Sequence, residues 1–168
     1  MKRWLPIGLI VIGVVIIAYA LFGSSDRDRI LALLDRLAAS VRVEEGDTNP
    51  LVRHGRIRGE FSEIFAKEAT ARVPEIHDSL RGRDALAQAA TQVGSVYQTA
   101  HVSLGDVDLT IDPAGTAAEA KATATITGRQ HGQELGRDER RVTFRIEKIE
   151  GEWRVFSVVV GGKGEAAE

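Results

Sequence analysis

Residues 97–160, YQTAHVSLGDVDLTIDPAGTAAEAKATATITGRQHGQELGRDERRVTFRIEKIEGEWRVFSVVV, decide the fold. The stretch reads as four strands joined in sequence. In the first, Val102 and Leu104 share one phase, and Val107, Leu109 and Ile111 share the other. A period-two pattern that changes phase at Gly105-Asp106 predicts a bulge, because one extra residue turns the buried side over and bends the strand. In the second strand Ala118, Ala120, Ala122, Ala124 and Ile126 alternate with polar residues, and in the third Val142, Phe144 and Ile146 point inward. EWRVFSVVV is the fourth. Asp112-Pro113-Ala114-Gly115 and Glu150-Gly151 supply turns, and the polar hairpin around His131 is expected to project as an exposed tip. An antiparallel sheet of this kind has one apolar face that a second layer must cover.

The upstream helices are the candidates for that layer. Ser25-Asp26-Arg27-Asp28 resembles a helix cap with acidic residues in the first turn. Ile30, Leu31, Leu33, Leu34, Leu37, Ala38 and Val41 recur at helical spacing, which predicts a helix from about Asp26 to Val43. Residues 44–59 read as a loop whose basic end (Arg53, His54, Arg56, Arg58) is a solvated face. A short helix is expected over Glu60–Ala69 with Phe61, Ile64 and Phe65 inward. Short extended pieces follow over Thr70–Leu80, interrupted by Pro74. A third helix over Arg83–Val96 carries a stripe of Leu86, Ala89, Ala90, Val93 and Tyr97.

The chain has 168 residues, no cysteine and a formal net charge of −2. Disulfide frameworks, thiol nucleophiles and thiolate metal sites are excluded, and nucleic acid is not expected as a partner. Residues 1–25 read as a transmembrane anchor. The run from Trp4 to Gly23 is uncharged and about as long as a helix needs to cross a bilayer. Lys2 and Arg3 favour a cytoplasmic N-terminus. A cleaved signal peptide ending near Ala18-Tyr19-Ala20 is the rival reading. Either one places a domain at 26–160, followed by a disordered tail at 161–168, outside the cytoplasm; the anchor makes the chain a single-pass protein of the inner or cytoplasmic membrane.

The segment IFAKEATARVPEIHDSLRGRDALAQAA, Ile64 to Ala90, resembles the NTF2-like (SnoaL/ketosteroid-isomerase-type) cone-fold superfamily. Phe65, Ala69, Thr70, Pro74, Gly82, Ala85 and Leu86 match its local phrase, and GEWRVFSVVV resembles its last strand. The resemblance implies an α+β fold, in which a curved antiparallel sheet packs against three helices around a conical pocket. This fold hosts enzymes, binding modules and assembly domains alike. The steroid-isomerase branch keeps an acidic base beside the Pro that ends the first short strand. Here that position is Val73, which accepts no proton. The dehydratase branch uses a His-Asp pair. His77 and Asp78 are adjacent in the chain, and adjacent side chains on a strand point to opposite faces.

His77 is the one candidate catalytic residue, as a general base; an ordinary rim histidine is the competing account. Tyr97, Trp153 and Val73 are the candidate pocket lining. His54, His101 and His131 define no metal motif with it, and no cofactor is implied. Asp106 and Asp108 flank Val107 on the side away from the core. The expected function is a non-catalytic ligand- or protein-binding assembly domain, tethered to the membrane outside the cytoplasm. Its expected partners are lipid through the N-terminal helix, a second copy through the small residues of the Ala-rich strand, and an envelope protein or small apolar ligand. The alternative is a small-molecule isomerase, dehydratase or hydrolase.

Overall fold

The computed structural model describes residues 25–46, 49–75 and 78–162. In chain order the elements are α1 (Asp26–Ser40), α2 (Pro50–Ile64), β1 (Phe65–Arg72), β2 (Leu80–Arg81), α3 (Arg83–Val96), β3 (Tyr97–Ile111), β4 (Ala117–Gln130), β5 (Leu135–Ile149) and β6 (Glu152–Val160). The strands form one sheet in the order β2-β1-β6-β5-β4-β3. β3 to β6 are an antiparallel meander, while β1 runs parallel to β6. The sheet is therefore mixed, which corrects the antiparallel expectation. The parallel pair joins segments far apart in the chain, through a connection that includes α3, as a parallel pairing requires.

The predicted bulge is present. The β3–β4 register shifts between Gly105 and Asp108, and Asp106 takes a left-handed φ of 51°. Glu150 and Gly151 both have positive φ, the geometry of a tight hairpin turn between β5 and β6. At the β3–β4 turn, the Asp112 carboxylate accepts from the amides of Thr116 and Ala117 at 2.7 and 2.9 Å.

The concave face is packed by β4 alanines (Ala118, Ala120, Ala122, Ala124), by Val142, Phe144 and Ile146 of β5, and by all three helices. α1 contributes Ile30 and Leu34, α2 contributes Ile57, Phe61 and Ile64, and α3 contributes Leu86 and Ala87. Alanines on the strand let the helices lie close to it. Phe61 and Phe65 meet with ring centroids 4.8 Å apart at 59°. Because Ala118, Ala120, Ala122 and Ala124 face inward, the outer face of β4 carries Ala117, Glu119, Lys121, Arg129 and threonines, so the run of small residues expected to draw in a second copy is not on that side. Self-association through the sheet is withdrawn on that ground.

α1 begins with a capping box. The Ser25 hydroxyl accepts from the Asp28 amide, and the Asp28 carboxylate accepts from the Ser25 amide, both at 3.2 Å. The helix ends at Ser40, and Val43 forms an isolated bridge with Ala100. α2 differs most from expectation. Asn49 caps it through the amides of Leu51 and Val52, and Pro50 opens it, so residues read as loop are helix. It stops at Ile64 because Phe65 enters β1. In α3, Leu86, Ala87 and Ala90 face the core, whereas Val93 is exposed.

The expected transmembrane anchor is corrected as well. Among the described residues no helix is long and apolar enough to cross a membrane. The longest have 15 residues, a span of about 22 Å against a hydrocarbon core of about 30 Å. Residues 1–24, on which the anchor expectation rested, lie outside the described part, as does the tail after 162. Lipid contact through that helix, a single-pass inner-membrane or periplasmic location, an envelope partner and a tethered assembly role all depended on the anchor and are withdrawn with it.

Candidate functional site

The alternation that buries Val142, Phe144 and Ile146 continues backwards along β5 to Arg140 and Asp138. Register confirms the shared face: Arg140 lies opposite Ala124 and Asp138 opposite Ile126. Two charged residues thus occupy core-facing positions where the sheet runs past the helices. Arg140 Nε donates to Asp138 Oδ2 at 2.9 Å, and its Nη1 donates to Glu75 Oε1 from the segment after β1. The Arg140 side chain is only 13% exposed. A guanidinium so enclosed is tolerable because carboxylates on two sides compensate its lost hydration. In return, the hydrogen bond from Arg140 first, one from the Glu75 backbone next and the Arg140 charge after them hold the Glu75 carboxyl below its usual range.

Beside this group is a recess of about 290 Å³ lined by Tyr97, Ile126, Gly128, Gln130, Gln133, Glu134, Gly136, Arg137, Asp138 and Arg140. Gly128 makes it possible for Tyr97 to lie there. A Cβ at Gly128 would fall 2.9 Å from Tyr97 Cδ1 and 3.0 Å from the Thr99 carbonyl oxygen, closer than side chains approach. Arg137 is engaged by Glu139 at 2.6 Å. The recess therefore combines an aromatic face, an aliphatic wall, amide groups, two arginines that carboxylates already hold, and the Glu134 carboxylate.

The residues singled out from the sequence do not converge. Tyr97 lies in this recess. Trp153 is buried near the other end of the long strands, where its Nε1 donates to Asp26 Oδ1 at 2.9 Å. Lys148 Nζ reaches both oxygens of the same carboxylate at 3.1 Å and sits 5.0 Å above the indole ring. Those hydrogen bonds, from Trp153 first and Lys148 next, hold the Asp26 carboxyl below its usual range. The cluster ties the start of α1 to the β5–β6 hairpin. It borders an open groove of about 650 Å³ that also includes Arg29, Arg36 and Glu63. Val73, half-buried just past β1, lines neither space. His77 lies outside the described residues. His54 Nδ1 is 3.2 Å from Thr91 Oγ1, and His101 Nδ1 accepts from Arg42 Nε at 3.1 Å. Among the described residues no group of three or more His, Cys, Asp or Glu is placed to hold a metal ion.

Sequence reasoning missed Glu75, Asp138 and Arg140. A signal for two of them was present, since both share the inward phase of Val142 and Phe144. The polar character of the hairpin masked it.

A search of curated proteins gives no match. Among solved structures, the chain is similar to an NTF2-like superfamily protein of Salmonella enterica serovar Typhimurium LT2, with 18% identity, a TM-score of 0.64, and coverage of 84% of this chain and 94% of that one. It is also similar to an NTF2-like protein with a cystatin-like fold from Novosphingobium aromaticivorans, with 17% identity, a TM-score of 0.64 and 90% coverage of both chains. At these identities the likeness speaks for the fold alone. The sequence profile of the SnoaL-like domain matches residues 51–159, which takes in α2, α3 and all six strands. With a bent sheet closing over three helices and that profile spanning most of its length, the chain belongs to the SnoaL-like domain family.

Proposed function

We propose that the domain binds a small, uncharged molecule with a flat apolar body and one or more hydroxyl groups, in the recess beside Arg140. The observation that carries this reading is the placement of Asp138 and Arg140 on the inward face next to Tyr97 and Ile126. The volume of about 290 Å³ is at the small end of ligand pockets, which limits the guest to about one or two rings. Arg140 is compensated by Glu75 and Asp138, and Arg137 by Glu139, so an anionic guest would have to displace an existing partner. A hydroxyl can instead donate to a free carboxylate lone pair or accept from a glutamine amide without breaking a pair. Tyr97 supplies the face for stacking.

The test is an amide-resolved NMR titration of the full chain with phenol, catechol and 2-naphthol. Saturable shifts should centre on Ile126, Gly128 and Gly136. Tyr97→Ala, which removes a stacking contact worth about 1 kcal/mol, should weaken binding about fivefold. Shifts centred on the groove beside Trp153, or affinity unchanged by Tyr97→Ala, would remove the recess from consideration. His77 remains the proposed base if the bound molecule is also transformed. A His77→Ala variant that retains both binding and turnover would eliminate that role.

A further inference from the structure

On the opposite side of the sheet, a cleft of about 310 Å³ lies along β2, β1 and β6, lined by Thr70, Arg72, Ser79, Arg81 and Ser157. Register sets this group on one face. Thr70 lies opposite Arg81 on one side and Ser157 on the other, and Arg72 lies opposite Val159. The intervening Ala71 and Leu80 pack against the core, so Thr70, Arg72 and Arg81 must point outward. Ser157 is in turn opposite Arg145 of β5, so a third arginine stands one strand further along the same row.

Among the described residues, no carboxylate lines the cleft. That sets its arginines apart from several others among the described residues. Arg36 is held by Glu60, Arg58 by Asp84, Arg137 by Glu139 and Arg140 by Glu75 and Asp138. Among the described residues, neither Arg72 nor Arg81 has a hydrogen bond or ion pair. Asp78 precedes Ser79 in the chain but does not line the cleft. Two guanidinium groups and three hydroxyls therefore border one concave space with their donors available.

We propose that this cleft binds a phosphoryl group. Guanidinium forks match the paired oxygens of a phosphate and remain charged at any physiological pH. A carboxylate has only two oxygens and keeps its acceptor directions in one plane, so it matches one fork better than donors converging from several sides. A tetrahedral oxyanion offers acceptors in several directions and can take donors from both arginines and from Thr70, Ser79 and Ser157 together. The space exceeds a bare phosphate, leaving room for part of an esterified group that extends towards Arg145. The site is separated by the sheet from the recess beside Arg140, so it stands or falls independently of the function proposed there.

The experiment is an isothermal and NMR titration of the full chain with inorganic phosphate and, separately, phenyl phosphate, at constant ionic strength set with sodium chloride. Saturable one-to-one binding at millimolar ligand is expected, with amide shifts at Thr70, Arg72, Arg81 and Ser157. The double variant Arg72→Gln/Arg81→Gln should weaken it at least about tenfold, since each removed charged bond is among the stronger kinds. Both substitutions are at exposed positions, and an unchanged thermal midpoint checks that the fold survives. Arg27→Gln, on the exposed face of α1, should leave affinity as it is. Tighter binding of phenyl phosphate would assign an organic phosphate ester, and equal binding would assign free phosphate; either supports the site. Absence of saturation, affinity unchanged in the double variant, or an equal loss with Arg27→Gln would overturn it.

Discussion

The contact between Arg53 and Gly94 provides a sharp test of how α2 and α3 pack. Arg53 is 2% exposed, and its Nη2 donates to the Arg42 carbonyl at 3.3 Å. Its guanidinium lies against Gly94: a Cβ built there would fall 2.0 Å from Nη1 and 2.4 Å from Cζ. In an isolated helix, Gly→Ala stabilises by about 1 kcal/mol. Here the new methyl must push an enclosed charged group from its place. Hydrogen bonds to charged groups contribute about 1.5–3 kcal/mol each, so losing one outweighs the helical gain. Gly94→Ala should therefore destabilise the domain by about 1–2 kcal/mol, which in a chain of this size lowers the thermal midpoint by about 2–8 °C. Arg53→Met keeps the aliphatic stem, removes the guanidinium, and should itself destabilise by about 1–3 kcal/mol. In that background the methyl meets vacated space, and Gly94→Ala should become neutral or stabilising by up to about 1 kcal/mol. Urea unfolding of the four proteins, followed by circular dichroism, closes the double-mutant cycle. Additive effects, with Gly94→Ala stabilising by the same amount in both backgrounds, would show that the two residues are not in contact.

Other predictions concern the two ends of the sheet. The Asp26 carboxyl is held below its usual range by Trp153 and Lys148, so the charged form is bound more tightly in the folded protein than in the unfolded one. Its contribution is fully present above the unfolded pKa of about 4 and is lost as pH falls through the lower folded value. Asp26→Asn should accordingly lower the unfolding midpoint at pH 7 and flatten its decline below about pH 4; an unaltered acid limb in a series of melts would contradict the clamp. Ala120, fully buried on the concave face, should not accept a larger side chain. Ala120→Leu should destabilise by about 1–3 kcal/mol through overpacking, and a variant with unchanged urea midpoint would show that the interior is hollow rather than filled.

Legibility differed between elements for physical reasons. The meander was readable because side chains on a strand alternate with a period of two, whatever the strand packs against. That alternation located all four strands, the inward phase of β4 and β5, and the bulge where the phase reverses. The α1 cap was readable because it is a contact between residues three apart. α2 was misread even though Asn49 and Pro50 are ordinary start signals. Its buried stripe begins with an arginine (Arg53, then Ile57, Phe61 and Ile64), and Gly55 and Gly59 suggested a loop. The apolar run at the N-terminus invited an anchor that no described helix bears out.

By itself, then, the chain's local pattern determined which segments extend, which coil, and which side of each is apolar, because those properties depend on neighbours within a few residues. Only the tertiary structure decided that β1 would lie parallel to β6, that Arg53 would be enclosed under Gly94, and that Arg140 would find Glu75 65 positions away while Arg72 and Arg81 found no carboxylate among the described residues. Burial of a charge is determined by which distant groups arrive to compensate it. No periodicity in the sequence around an arginine records that.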